Sequence, residues 1–397
     1  MSKIKWKIEY DKNVICQSFD RKGWQRTEEN DWNIFWASVV TVKQIFNPDF
    51  GYRLGDNQVI CHFPNHHELT RKDLMVKNIK RYSKEMQKEG KQIQETLPVT
   101  YLLPADYSLF VEEFRRYPNA MWIMKPSNRA QGKGIFIINK LQQIKKWSSG
   151  RWAQTAETYV VSRYIDNPLL VGGKKFDLRI YVLVTSFRPL RMYLGDGFAR
   201  FCNVKYSNDV AEIDNPFMHL TNVSIQKHDD NYNNLHGGKW NISKLRLFLE
   251  ATRGHAATAG LFEDIDHLLV HSAKAVQNVM INDRHCFECY GYDLLIDDNL
   301  KPWLVEVNAS PSLATTTEAD KKMKSTLIRD ILEIVVPEKN FGSVQGANRQ
   351  GPMKDQGDFV VLYDEAAEAE KLAAEETKNS KKGDQRNINN SRMKSWK

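Results

Sequence analysis

KPWLVEVNASPSL, residues 301–313, reads as a buried β-strand that nevertheless carries a carboxylate and a side-chain amide two positions apart. Side chains of a strand alternate faces, so Glu306 and Asn308 point together while Trp303, Val305 and Val307 point away. Upstream, CYGYDLLI (289–296) is a second apolar run, and Asp297, Asp298 and Asn299 between the two supply a turn, which makes the pair a β-hairpin. With the turn centred between Asp297 and Asn299, Asp293 is expected near position 304, on the face of Glu306; a one-residue slip would reverse it. Asp293, Glu306 and Asn308 then offer three oxygen ligands from a rigid hairpin, a donor set suited to Mg²⁺, which keeps waters and binds substrate phosphates. The plainer alternative is that Glu306 and Asn308 bond local backbone. A carboxylate in an apolar strand is costly unless paired or metal-bound, which favours the metal.

Phosphates held by Mg²⁺ need cations nearby. WIMKP (122–126) ends a strand with Lys125, and the turn RAQGKG (129–134) brings Gln131, Gly132, Lys133 and Gly134 to the edge of the same small sheet, before the strand IFIIN (135–139). Backbone N–H groups of such a turn and its ammonium suit phosphate, although the spacing is neither that of a P-loop nor that of a dinucleotide-binding fold. ETYVVSRYI (157–165) is a further strand. In FDLRIYVLVT (176–185) and the lysine before it, Lys175, Asp177 and Arg179 share one face. A surface ion-pair ladder would explain that alternation, but the strand soon becomes wholly apolar, which favours a ligand role. Arg200 in GFARFC is a second anion site, Asn222 in HLTN a substrate or phosphate contact, and His219 beside it orients the loop.

The rest of the chain frames these segments. Of 397 residues, 41% are hydrophobic, 27% charged and 11% aromatic, a globular composition long enough for two or three domains. The formal charge of +8 favours an acidic partner without naming it. No run of about 18 apolar residues exists to cross a membrane, and the start MSKIKWKIEYDK has no apolar signal core. Five cysteines, an odd number, suit a reducing compartment; His285, Cys286 and Cys289 lack a second CxxC, so no zinc is assigned. Residues 1–90 form an N-terminal domain ending in the basic helical run 71–91, with Leu74, Ile79 and Tyr82 at helical spacing and its charges either a solvated face or a landing strip for an acidic polymer. In SLFVEEFRRY (108–117) a short helix is capped by Asp106 or Ser108. Residues 91–174 make a small central domain, and 175–339 a larger one, where 261–280 is a helix with Ile265, Leu268, Leu269, Ser272, Val276 and Met280 on one stripe. His267 and His271 are packing or surface residues. Residues 320–336 are a second helix. The tail 340–397 reads as mostly disordered, with an Ala/Glu-rich helix within 360–376.

MKP, QGKG, KKFDLRIYVLV, GFARF, HLTN, YGYDLLID and WLVEVNASPSL, in this order, resemble the tubulin tyrosine ligase-like family of ATP-grasp amino acid ligases, in particular its compact polyglutamylases, over about residues 24–337. The resemblance implies an α+β, ATP-grasp fold with ATP between the central and C-terminal domains. It implies that Lys125 and Lys133 approach the phosphates with Gln131, Gly132 and Gly134. Tyr159, Val160, Val161, Ser162, Arg163, Tyr164 and Ile165 form the adenine-side hinge, and Lys175 and Asp177 hold the nucleotide and ribose. Arg179 and Arg200 neutralise the reacting groups, Asn222 lies close by, and Asp293, Glu306 and Asn308 carry Mg²⁺, with Glu306 also catalytic. Ser162 stands where several relatives have Gln, a shorter reach toward the ligand.

The implied reaction links free glutamate to glutamate side chains of acidic α- or β-tubulin tails through an acyl phosphate. The implied places are cytoplasm, cytoskeleton, and the axoneme and basal body of a cilium or flagellum, with neither nucleic acid nor membrane insertion involved. Accessory subunits or axonemal proteins are expected partners, since no long cationic extension is present. Other readings keep the ligase with glycine or tyrosine as donor or another acidic protein as acceptor, or make the chain a non-catalytic ciliary scaffold; an inositol-phosphate kinase on the same broad fold is a lesser one.

Overall fold

The structure is a computed structural model and describes residues 3–10, 12–129, 132–149, 157–230, 232, 238–337 and 352–374. Among these residues the chain is α+β, built on three sheets. The first is parallel, with β1 (Lys5–Ile8), β2 (Gln25–Arg26), β3 (Ile34–Trp36) and β4 (Val59–Ile60) in the order β2-β1-β3-β4. Parallel neighbours need a crossover, and the helix Asn13–Arg21 supplies one between β1 and β2, burying Val14, Ile15 and Phe19.

The second sheet is antiparallel, with β5 (Thr100–Leu103), β6 (Trp122–Pro126), β7 (Phe136–Ile138) and β8 (Tyr159–Arg163) in the order β5-β8-β6-β7. One face packs Trp122, Met124, Ile138, Tyr159 and Val161 onto Phe110 and Phe114 of the helix Tyr107–Arg116, which leaves the other face for a cleft. Asp106 stands at the N-cap of that helix, but its carboxylate accepts from the Leu102 N–H at 2.8 Å and makes no cap bond.

The third sheet has seven strands: β9 (Leu170–Val171), β10 (Lys174–Phe187), β11 (Leu190–Phe201), β12 (Lys239–Asn241), β13 (Glu288–Ile296), β14 (Pro302–Asn308) and β15 (Val360–Asp364). Its main path runs β12-β11-β10-β13-β14. Leu178, Ile180, Val182 and Val184 face the helix His255–Gln277, whose Ile265, Leu268, Leu269, Ser272 and Val276 are buried as their spacing predicts. Tyr181 and Leu183 face Leu327, Ile328 and Ile331 of the helix Glu318–Val335. A strand covered on both faces reads as a continuous apolar run, which is why IYVLV loses its alternation.

Two expectations change here. The hairpin of β13 and β14 forms, but its turn closes with Ile296 opposite Pro302 and an irregularity follows between Leu294–Leu304 and Asp293–Glu306; each moves Asp293 by one position, so it pairs two positions from where the turn count put it. The same irregularity lets Trp303 and Val305 line the cleft beside Glu306, where strict alternation turned them away. The tail is the second. Residues 352–374 are ordered onto the body, with β15 paired to β11, Phe359 buried and an Ala/Glu-rich helix over 365–374. The remainder of the expected tail lies outside the described residues. No helix among the described residues is long and apolar enough to cross a membrane.

Candidate active site

A cleft opens between the free face of the second sheet and the end of the third. Lys125, Val160, Ser162, Arg163, Tyr164 and Ile165 line it from one side, and Lys175, Asp177, Asp293 and Glu306 from the other. Gly132, Lys133, Asn222 and Lys72 close its ends. The alternation of β8 divides the expected hinge: Val160 and Ser162 face the cleft, whereas Tyr159 and Val161 belong to the apolar core behind it. The Ser162 hydroxyl is 2.9 Å from that of Thr100 on β5, so a neighbouring strand already engages it. Gln131 falls outside the described residues.

The densest electrostatics lie at the start of β10. Arg179 forms a fork on Asp293, Nε to Oδ1 at 2.5 Å and Nη2 to Oδ2 at 3.0 Å. Arg200 donates from Nε to Asp177 Oδ1 at 2.7 Å and also reaches Asp293 Oδ2 at 2.8 Å. Two carboxylates and two guanidiniums thus alternate in one buried chain, the arrangement in which buried charge is tolerable because every member is paired. Burial opposes ionisation of Asp293, but Arg179 and Arg200 outweigh it and hold the carboxyl well below its ordinary range. The Lys175–Asp177–Arg179 alternation is therefore a buried network and no surface ladder.

The ammonium groups are under a different stress. Burial drives Lys125 down to about 8, with Glu306 resisting and Lys72 and Lys175 adding to the fall. Lys175, also lowered chiefly by burial, donates to the Tyr164 hydroxyl at 2.9 Å. That hydroxyl is 2.8 Å from His219 Nδ1, while His219 Nε2 lies 3.0 Å from the Glu212 carbonyl, so His219 orients the HLTN loop as expected. Gly132 and Gly134 have φ of +75°, which glycine adopts without a Cβ clash. A Cβ at Gly132 would stand 2.5 Å from Ile225 Cδ1 and 3.2 Å from Asn222 Oδ1, so the turn closes directly on HLTN and the helix after it.

Glu306 answers the question posed by its strand. Its Oε2 is 2.9 Å from Lys72 Nζ and its Oε1 accepts from Asn308 Nδ2 at 3.2 Å, while Asn308 also reaches the Gly291 carbonyl at 3.4 Å. No cluster of three or more His, Cys, Asp or Glu side chains converges among the described residues. Asp293 stands opposite Glu306 in the hairpin, but both of its oxygens are held by Arg179 and Arg200, and an ammonium already rests against Glu306. Glu306 is thus a spot where a cation is favoured, and its carboxylate with the nearby Asn308 amide is the oxygen chemistry that suits Mg²⁺.

Lys72 lines the cleft and is a candidate that the sequence reading passed over. It lies on the helix Lys72–Lys88 together with Met75, Val76 and Ile79, all buried, so its i, i+3, i+4, i+7 relation to them was the available signal. Its ammonium also donates to the Arg129 carbonyl at 3.2 Å, tying the N-terminal segment to the glycine turn. Further along, Lys80 bonds the Thr100 carbonyl and Arg81 the Ala275 carbonyl, so the basic run is only partly a solvated face.

Residues 52–343 match the tubulin-tyrosine ligase family. The chain is similar to the probable alpha-tubulin polyglutamylase Ttll1 of Tetrahymena thermophila, at 53% identity over 92% of this chain and 94% of that protein. It is 44% identical to the probable tubulin polyglutamylase ttll-9 of Caenorhabditis elegans, over 81% of this chain and 78% of the relative. Against the tubulin polyglutamylase TTLL5 of Homo sapiens the identity is 37% over 77% of this chain and 24% of that longer protein. The chain, a cleft of paired carboxylates and buried ammonium groups held between two sheets, belongs to the tubulin-tyrosine ligase family.

Proposed function

We propose that the chain is an ATP-dependent tubulin polyglutamylase that adds free glutamate to glutamate side chains of tubulin tails, with ATP bound between the second and third sheets in an ATP-grasp arrangement. The observation that carries this reading is the meeting of Lys125, Lys175, Asp177, Asp293 and Glu306 around one cleft, with Arg179 and Arg200 ion-paired to its Asp293 and Asp177. A carboxylate does not react with an amine in water, so the acceptor carboxylate first takes the terminal phosphoryl group of ATP and ADP departs. The amino group of the incoming glutamate then attacks the acyl carbon, and phosphate leaves as the amide forms.

In this assignment the buried Lys125 and Lys175 bind the nucleotide phosphates, and Lys133 approaches them from the glycine turn. Val160 and the Arg163–Ile165 segment border the base. Arg179 and Arg200, oriented by Asp293 and Asp177, present fixed positive charge to the reacting carboxylate. Asn222 and Gly132 close the cleft and exclude water. Glu306, Asn308 and Asp293 would hold Mg²⁺, which supplies charge neutralisation at the phosphoryl group when bound. Acidic tubulin tails are the partners that the net charge favours. Accessory subunits and an axonemal or basal-body location belong to the same proposal.

The test is to incubate the purified chain with ATP, Mg²⁺, mixed amino acids and microtubules, with and without ciliary extract, and read tubulin tails by intact mass. A ladder of added glutamates is expected, and dependence on extract would reveal required partners. Glycine or tyrosine additions, or no mass change in either case with ATP still bound, would overturn the proposal.

A further inference from the structure

The loop 309–313 leaves β14 directly after Asn308, and its course bears on both Asn308 and Arg179. Gly291 stands opposite Asn308 in the hairpin register, and a Cβ there would be 2.8 Å from Pro311 Cβ and 3.3 Å from Arg179 Cδ and Nε. Pro311 therefore lies on β13 against the strand position that faces Asn308, with the Arg179 side chain beside it.

The loop is held from an unexpected quarter. Ser310 Oγ is 3.3 Å from Nε2 of His62, a residue of the N-terminal segment two positions beyond β4. His62 Nδ1 is 2.8 Å from Glu288 Oε1, and Glu288 Oε2 accepts from the Phe63 N–H at 3.1 Å. Glu288 opens β13, five residues before Asp293. Relative exposures of 4% for His62 and 0% for Glu288 make this a fully buried pair. A buried charge pair is tolerated only when its remaining hydrogen-bonding positions are used, and here both ring nitrogens and both carboxylate oxygens are. The pair sits where the sheets join: Ile60 bridges Cys286 in parallel, donating to the His285 carbonyl at 2.8 Å and accepting from the Phe287 N–H at 3.0 Å.

We infer that His62, fixed by Glu288, is a positioning residue for the active site, setting the course of the loop 309–313 through Ser310 and thereby the placement of Asn308 and Arg179. This rests on the ligase reading of the cleft and adds an N-terminal member to it. A doubly protonated ring donates from both nitrogens, to Glu288 and to Ser310. Burial lowers the His62 pKa, but Cys61 and Glu288 outweigh it and raise it to about 10, consistent with that form. His66, whose ring centroid is 5.9 Å away, is by contrast pushed down by its burial.

The test compares Ser310→Ala, His62→Gln and the double variant of the full chain. ATP affinity is titrated at several Mg²⁺ concentrations without tubulin, and thermal unfolding is followed in parallel. Ser310 is exposed, so its substitution removes the hydroxyl that meets His62 Nε2 without disturbing apolar packing, and the His62–Glu288 contact itself remains. The expected result is about tenfold weaker Mg²⁺-dependent ATP binding for each single variant, no further loss in the double variant, and a smaller fall in melting temperature for Ser310→Ala than for His62→Gln. Unchanged affinity with a lowered melting temperature in His62→Gln, or losses that multiply in the double variant, would overturn the relay. Because tubulin is absent, failure of glutamate addition by the wild type counts against the proposed activity alone. A wild type that binds no ATP overturns the reading of the cleft and the relay together.

Discussion

Glu306 is held by a lysine and an asparagine in the structure and is the carboxylate for which a metal would have to compete with that lysine. Glu306→Gln keeps the hydrogen bond from Asn308 but removes the charge, so it should fold normally while turnover falls on the order of a hundredfold. Near-normal turnover at limiting Mg²⁺ would remove Glu306 from the metal site. The same substitution carries a pH signature. Lys125 is charged below about 8, and a charged ammonium is what attracts phosphate, so ATP affinity should weaken as pH rises through that value. Glu306 raises the Lys125 pKa, so Glu306→Gln should move this alkaline fall to lower pH. Titrating ATP affinity against pH in both proteins checks the direction; a limb that stays in place would exclude Lys125 as the group responsible.

At the scale of elements, the helix Lys72–Lys88 shows how one basic run divides its labour. Lys72 enters the cleft, Lys80 and Arg81 bond carbonyls of β5 and of the helix His255–Gln277, and Lys77 and Lys84 stay exposed. Reversing Lys77 and Lys84 to Glu should raise the acceptor KM and flatten its salt dependence with little effect on stability, since exposed charges act through the long-range field. An acceptor KM and salt response equal to wild type would leave those charges merely solvated. The glycine turn gives a second element-level outcome. Gly132→Ala places a side chain in the left-handed region and against Ile225, at a cost of about 1 kcal/mol. If the turn must close on HLTN to hold phosphate, ATP affinity should drop severalfold, and binding equal to wild type would show that closure is not needed.

Across the whole molecule, the large sheet is continued at two places far apart in the chain. Through Ile60 and Cys286 it joins the N-terminal sheet, and through β15 it takes in a segment from beyond residue 351. Phe359, buried against Tyr193 with Leu327 beside Gly195, anchors that last strand, and Glu365 accepts from the Leu190 N–H at 2.6 Å. Phe359→Ala should therefore destabilise the protein by about 3–5 kcal/mol, read as a lower urea midpoint. An unchanged midpoint would mean that the segment adds no stability to the body.

What the sequence by itself determined is the local grammar. Alternation placed Glu306 and Asn308 together, the helical stripe over 265–280 named its buried residues, and the turn residues at 297–299 made a hairpin. These follow from periods of 2 and 3.6 that act over a few residues. The cations and carboxylates of the cleft were legible for the same reason, as charged residues within otherwise apolar strands. Only the tertiary structure decided the rest. The closure of the turn at Ile296 and Pro302 and the irregularity after Asp293 together set its partner, because register depends on packing against both faces and not on a turn count. Which face of β8 met the core separated Tyr159 and Val161 from Val160 and Ser162. The Val360–Asp364 run became a strand because the β11 edge lay open to it, a condition that its own composition does not contain. His62 and Glu288, 226 positions apart, and Lys72 against Glu306 are partners only because the chain folds them together, and no spacing rule reaches across that distance.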